Sequence, residues 1–473
     1  MLSSTHRTKV VATIGPASSS PEVIRQLIEA GMAVARLNFS HGSYDDHAKT
    51  VQLLREAAGE LDTPITLLQD LQGPKVRVGQ LPDGAIALEA GSYIDLVPHE
   101  EFNGQSHLLP IDYPFLAEDA HPEMQVLLDD GRLELQATEI KPSRVRCQVV
   151  RGGLLTSRKG VNFPSLDLRL PSLTEKDCKD LEFGIEQGVH WVALSFVRSV
   201  EDIRILKGHL KQCGAESTSV MAKIEKPQAI AHLDALTQEC DGIMVARGDL
   251  GVEMSPERVP LLQKKIIRGC NQAGIPVITA TQMLESMIDN ARPTRAEASD
   301  VANAIIDGTD AVMLSGESAV GKHPVKAVEM MTRIAATIEP ELQFENLPPA
   351  ESDETHALSE ALNTMDKILD LRWIAAFTTT GYTAKLAAAE RLKAPVVAFT
   401  PDPLVYHRLN LIWGVTPLLL GDPVSCVESL IHAIEKQLKQ RKMVELGDKI
   451  LVLGGSPIQQ SRGTNFVKIH TIP

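Results

Sequence analysis

Eight short runs rich in Val, Ile, Leu and Ala punctuate the chain, and they constrain its fold more than any other feature. Parallel strands buried on both faces read as near-continuous apolar runs, separated by helical patterns. A first block holds KVVATI (Lys9 to Ile14), AVARLNF (Ala33 to Phe39) and PITLLQD (Pro64 to Asp70). A second holds HWVALSF (His190 to Phe196), SVMAKI (Ser219 to Ile224), DGIMVA (Asp241 to Ala246), PVITAT (Pro276 to Thr281) and DAVMLS (Asp310 to Ser315). Between most of them lie amphipathic helices such as PEVIRQLIEAG, where Pro21 marks the start and Gly31 the stop. Eight β/α units predict a TIM (β/α)8 barrel, an α/β fold with its active site at the carboxyl ends of the strands.

Residues 73–171 break the rhythm with alternating strands (RLELQATEI, RVRCQVV) and turns at Pro82-Asp83-Gly84, Asp129-Asp130-Gly131 and Arg151-Gly152-Gly153. This predicts an all-β domain inserted after strand three, so that the barrel comprises 1–72 and 172–341. The polar stretch ENLPPAESDE (Glu345 to Glu354) then leads into a C-terminal region, 342–473, whose runs WIAAF, PVVAF, VTPLLL and KILVL predict a small open α/β domain. At roughly 150 residues per domain, the 473 residues suit three domains.

Lys plus Arg number 47 against 61 Asp plus Glu, a net charge of −14. A nucleic-acid backbone is therefore repelled on average, and an anionic ligand needs a local cationic site. The six cysteines stand 27 or more residues apart, without a C-x-x-C pair for zinc or redox chemistry. No run approaches the ~18 apolar residues of a spanning helix, and the N-terminus lacks a leader pattern. A soluble, cytoplasmic protein with no membrane partner is expected.

The strand ends concentrate chemistry. Strand two carries Arg36, Asn38, Ser40 and His41, strand three ends in Asp70, and strand four gives Ser195. Strand five gives Lys223 and Glu225, strand six Arg247 and Asp249, strand seven Thr281, and strand eight Ser315 and Glu317. Glu225 and Asp249 follow neighbouring strands, and two hard carboxylates with room for water and substrate oxygens suit Mg2+ or Mn2+. Taken singly, each is better read as a helix cap or salt-bridge partner; together, beside Lys223, they read as a cation site. Arg36 and Lys223 fit a phosphoryl clamp that stabilises charge on transferring oxygens, or a pair of internal salt bridges. His41 is a general acid or base, or a hydrogen-bonded structural residue. Thr281 and Ser315 relay a proton or cap helices.

These segments are similar to the pyruvate kinase family. The match runs through ATIGPAS (Ala12 to Ser18), ARLNFSHG (Ala35 to Gly42), LQDLQGPK (Leu68 to Lys75), GVNFP (Gly160 to Pro164), AKIEKP (Ala222 to Pro227), MVARGDLGVE (Met244 to Glu253), ITATQMLESM (Ile278 to Met287) and MLSGESAVGKHP (Met313 to Pro324). The resemblance implies phosphoryl transfer from phosphoenolpyruvate to ADP in glycolysis, with the inserted domain as a lid and assembly into a homotetramer. It implies that Glu225 and Asp249 hold the divalent ion and that Arg36 and Lys223 contact the phosphoryl group. Thr281 would lie near the enolate carbon, with Ser315 and Glu317 in the proton-relay region. Pro16 and His41 match ADP-binding positions, Arg77 and Lys159 would reach the nucleotide phosphates from the lid, and Ser195 and Gly248 line the substrate.

Two other classes share parts of this pattern. A metal-dependent lyase acting through a pyruvate enolate also places two carboxylates and an Arg on a barrel rim, but the lid and Lys223 disfavour it. A dead metabolite sensor is disfavoured because no rim residue is replaced by an inert type. In the C-terminal region, FTTTGYT contains Thr378, Thr379, Thr380, Gly381, Tyr382 and Thr383 before a helix, a geometry that binds phosphate or merely caps. The resemblance makes it an effector loop for a sugar phosphate, with Tyr382 where many relatives have a basic residue. Relatives that use K+ carry an acidic residue where this chain has Lys75. A K+ in a pocket of Asn38, Ser40 and Asp70 would meet that ammonium, and like charges ~4 Å apart at an effective dielectric near 20 repel by about 4 kcal/mol. K+ is therefore expected not to be required.

Overall fold

The computed structural model describes residues 6–164, 166, 168–342, 354–421, 424–458 and 463–473. All but the last residue of the predicted linker 345–354 fall outside the described residues. The eight apolar runs form β1 (Lys9–Thr13), β2 (Met32–Asn38), β3 (Thr66–Asp70), β4 (Trp191–Leu194), β5 (Ser219–Ile224), β6 (Gly242–Ala246), β7 (Val277–Ala280) and β8 (Ala311–Leu314). They close into one parallel barrel in sequential order.

Strand alternation divides the apolar side chains between two cores. Val11, Leu68, Trp191, Met221 and Ile278 cluster with one another, whereas Val10, Leu67, Val192, Val220 and Val277 pack with the helices. Four runs read one residue too long at their starts, and in two of them the extra residue is an acid that caps a neighbouring strand from outside the ladder. Asp241 Oδ2 accepts the Val220 N–H at 2.8 Å, and Asp310 Oδ2 accepts that of Val277 at 2.9 Å.

The inserted region leaves β3 through Gly73, whose φ of 69° lies in the left-handed region. A Cβ there would stand 2.8 Å from Ser195 Cβ, so only glycine fits. The region builds a six-stranded sheet in the order 161–162, 125–128, 133–141, 144–151, 93–98, 108–111, and a two-stranded sheet from 85–88 and 153–156. It has its own core around Tyr113, Leu135 and Phe163. A short helix, Leu116–Asp119, corrects the all-β expectation for this region. The predicted turns fall where the backbone turns left-handed, at Gly84 (φ 74°) and at Asp130 and Gly131 (54° and 79°).

The C-terminal region forms β9 (Trp373–Phe377), β10 (Val396–Thr400), β11 (Val415–Leu419), β12 (Lys449–Gly454) and β13 (Phe466–Thr471), in sheet order β11-β10-β9-β12-β13. The edge strand β13 runs antiparallel to β12 and escaped the sequence reading, because its side chains are half-buried or exposed and leave no apolar run. This domain seals the amino-terminal end of the barrel. Leu411 joins the barrel's inner cluster, Asn410 Nδ2 donates to Ala33 O (2.8 Å) and Pro64 O (3.1 Å), and Arg391 pairs with Asp310 at 3.1 Å. No helix among the described residues is long and apolar enough to cross a membrane.

At this junction His190 and His407 stack, with ring centroids 4.3 Å apart and planes 11° from parallel. His190 Nδ1 accepts the Leu67 N–H at 2.8 Å, so that nitrogen carries no proton. Among the described residues His407 Nδ1 is buried with no hydrogen-bond partner. Burial lowers the pKa of both rings, most strongly for His190, and each is lowered further by Arg55. A histidine whose folded pKa is depressed contributes stability that is full above its ordinary value of 6.5 and is lost as pH falls below it. The unfolding temperature should therefore drop between pH 7.5 and 5.5, and less so in a His190→Asn/His407→Gln variant. Equal slopes for the two proteins would remove this pair as the cause.

Candidate active site

Beyond the carboxyl ends of β2, β3 and β5 the buried side chains form an alternating chain of charge. Arg36 Nε lies 2.7 Å from Asp70 Oδ2. Asp70 Oδ1 lies 3.1 Å from Lys223 Nζ, which in turn lies 2.9 Å from Glu225 Oε1. Parallel pairing explains the assembly, since Arg36 and Lys223 sit near the ends of strands on either side of β3 and β4. Arg36 Nη1 also donates to Thr13 Oγ1 at 2.8 Å, and Lys223 Nζ to Ser195 Oγ at 2.7 Å. Thr13 and Ser195 pass these bonds to the Leu314 and Leu71 carbonyls.

The electrostatics follow from burial and pairing. Burial alone would raise Asp70, but Lys223 and Arg36 hold its carboxyl below the usual range. Burial alone would lower Lys223, but Asp70 and Glu225 hold it above the usual range, so it remains an ammonium. Glu225 is pushed up, first by burial and also by the negative charge of Asp249, with Lys223 opposing. A buried carboxyl raised in this way beside a second carboxylate fits a divalent cation, which would relieve it. Among the described residues no cluster of three His, Cys, Asp or Glu side chains could hold a metal. A cation on Glu225 and Asp249 would draw its other ligands from water and substrate, as Mg2+ commonly does.

The remaining rim residues divide into those facing the site and those holding it. Glu225 Oε2 accepts the Phe196 N–H at 2.7 Å, and Phe196 takes a φ of 57° to present it. Thr281, also left-handed at 69°, accepts the Gly248 N–H on Oγ1 at 2.7 Å. Arg247 makes a two-point pair with Asp300, both contacts at 2.7 Å, and its Nη2 also donates to Thr281 O at 2.9 Å. Glu317 is 2% exposed, and its oxygens accept the Leu284 N–H (3.1 Å) and the Ser315 N–H (2.7 Å), so it ties the loops after β7 and β8 together. Pro16 and His41 are exposed at the loops after β1 and β2. Arg77 Nη1 donates to Arg158 O at 3.1 Å, and Lys159 pairs with Asp129 at 2.7 Å, so both cations rest on atoms of the inserted region.

Asn38 Oδ1 accepts the Ser40 N–H at 3.2 Å, which brings two of the three expected monovalent ligands together. Asp70, the third, already serves Arg36 and Lys223. The Lys75 ammonium is not beside Asp70 but 3.3 Å from Asp249 Oδ1 and 3.8 Å from Asp130 Oδ1. In the C-terminal loop, Thr378 Oγ1 accepts the Gly381 N–H (2.9 Å) and Thr464 Oγ1 donates to Thr383 Oγ1 (2.8 Å), while Thr379, Thr380 and Tyr382 are exposed. Thr13 could be placed at the end of strand one from residue order, but not its aim at Arg36, and the Phe196 amide has no signature there at all. Glu253 and Lys226 lay inside quoted motifs, yet their pairing at 2.6 Å was not anticipated.

A closed barrel with paired cations and paired carboxylates on its carboxyl rim, under an inserted domain, has the build of a barrel phosphotransferase. The family model "Pyruvate kinase, barrel domain" matches residues 5–328, and "Pyruvate kinase, alpha/beta domain" matches 356–470. The chain belongs to the pyruvate kinase family. Pyruvate kinase 2 of Synechocystis sp. is 46% identical over 473 residues, covering 98% of this chain and 79% of the relative. The pyruvate kinase of Agrobacterium vitis is 43% identical over 474, covering 98% and 97%. A crystal structure of a pyruvate kinase from Cryptosporidium parvum superposes with a TM-score of 0.93 at 34% identity, covering 99% of this chain and 97% of that one.

Proposed function

We propose that this enzyme transfers the phosphoryl group of phosphoenolpyruvate to ADP, giving pyruvate and ATP, as a glycolytic enzyme of the cytoplasm. The observation that carries the reading is the Lys223 ammonium, buried and held between Asp70 and Glu225 on the carboxyl rim. A cation fixed in this way needs no reorganisation when negative charge passes in front of it, which is how preorganised charge lowers a barrier. Arg36, aimed by Asp70 and Thr13, supplies the second positive charge to the phosphoryl oxygens. Glu225 and Asp249 would hold Mg2+ or Mn2+, which when bound supplies Lewis-acid charge to the same oxygens. Ser195 and Gly248 line the substrate, Thr281 stands toward the enolate carbon, and Ser315 belongs to the proton path. Glu317 supports that path by holding the Ser315 amide. Pro16 and His41 contact ADP, and the lid brings Arg77 and Lys159 to its phosphates while excluding water. The family resemblance supports a homotetramer, which sedimentation velocity reads directly.

Pyruvate formation from phosphoenolpyruvate should depend on ADP, and Lys223→Met should cut turnover by about 100- to 1,000-fold, as loss of one oxyanion-type donor does. A variant within about tenfold of the parent would end the assignment.

K+ is not required in this reading, because Lys75 supplies a tethered positive charge at the rim. Its ammonium stands 3.3 Å from Asp249 Oδ1 and 3.8 Å from Asp130 Oδ1 rather than beside Asp70. Activity in tetramethylammonium chloride should match that in KCl at equal ionic strength, and Lys75→Glu should lower activity without K+ and create a K+ response. An enzyme silent until K+ is added would refute this.

Residues 378–383 would bind a phosphorylated metabolite through backbone N–H groups and the exposed Thr379 and Thr380 hydroxyls. A panel of sugar phosphates at subsaturating phosphoenolpyruvate should contain one that shifts the saturation curve, and Thr380→Ala should blunt that shift. If none acts, the regulatory reading fails.

A further inference from the structure

The inserted domain hangs from the barrel by two segments that run side by side. The Val161 N–H donates to Val76 O at 2.9 Å and the Val78 N–H to Lys159 O at 2.8 Å, making a short ribbon. Each side of this ribbon sends one side chain to the same helix, Arg247–Glu253. Lys75 reaches Asp249 at its start, and Asn162 Nδ2 donates to Glu253 Oε1 at its end, at 2.7 Å. The same Glu253 oxygen takes Lys226 Nζ at 2.6 Å. Glu253 is 4% exposed.

We infer that Glu253 is a positioning residue: with Lys226 and Asn162 it sets the span between Glu225 and Asp249 and registers the inserted domain on that pair. The inference rests on the reading that these two carboxylates hold the divalent ion. Lys226 is the residue after Glu225, and Glu253 lies about one helical turn beyond Asp249. The β5–β6 ladder ends at Ile224 and Val245. Beyond it, the ion pair is a strut between the two chain segments that carry the carboxylates. An ion pair withdrawn from water, with a second donor on the same oxygen, holds its geometry far more tightly than an exposed pair does. Asn162 brings the ribbon to the strut, so the domain's seat and the carboxylate spacing share one atom.

The test is Mn2+ binding to the full chain without substrates, read from the free-ion electron paramagnetic resonance signal. Glu253→Gln keeps the shape and removes the charge; its dissociation constant should rise by about tenfold, the low end for outer-sphere partners of a metal ligand. Lys226→Met should do the same, and the Lys226→Met/Glu253→Gln double variant should be no worse than either single, because the two act as one strut. Asn162→Ala should speed amide hydrogen exchange in the ribbon, at 76–78 and 159–161, without changing it in the barrel strands. If Glu253→Gln binds Mn2+ within about twofold of the parent while Glu225→Gln and Asp249→Asn lose it, the strut serves stability alone and the inference is overturned. If those two carboxylate variants also bind Mn2+ normally, the metal assignment fails and the inference falls with it. Should Glu253→Gln strand the Lys226 charge and unfold, the double variant carries the measurement, and parental affinity there overturns the inference equally.

Discussion

The site depends on one carboxylate, Asp70, which is 1% exposed and accepts a cation on each oxygen. Without it, Arg36 and Lys223 would be two like charges in a dry wall, and removing one partner of a buried pair commonly costs about 3 to 5 kcal/mol. With it, positive and negative groups alternate from Arg36 to Glu225 and the local charge sums to zero. The barrel then tolerates cations at strand ends that would otherwise be expelled or neutralised. The same balance leaves Lys223 and Arg36 stiff, each with a second neutral partner, Ser195 or Thr13, to set its direction. Stability and readiness for an anionic ligand thus come from a single arrangement.

Much of this was legible from residue order. The apolar runs have the composition of doubly buried strands, so their number and spacing identify a barrel, and the barrel rule then points to their carboxyl ends. What residue order does not carry is which neighbour each rim group chooses. Asp70 and Lys223 are 153 positions apart, and their contact follows from barrel closure and strand register. Glu317 could be placed on the rim, but not turned toward the Leu284 and Ser315 amides, because backbone donors have no signature in side-chain sequence. Lys75 misled for the same reason: its position after Gly73-Pro74 puts it at the hinge, whereas its four-carbon stem lets the ammonium choose Asp249. The edge strand β13 was hidden by the rule that revealed the others, since a strand with solvent on its flank needs no apolar run.

Asp310, introduced as the cap at the start of β8, also accepts Arg391 from the C-terminal domain. Five residues later comes Ser315, on the opposite rim. At roughly 3.3 Å per residue that is a rod of about 16 Å, and a strand paired on both sides barely stretches. In mechanical terms β8 is a tie-rod: its near end is fastened to the C-terminal domain and its far end reaches the carboxyl rim. Arg391 and Ser315 thus stand at the two ends of one continuous strand, with no hinge or loop between them.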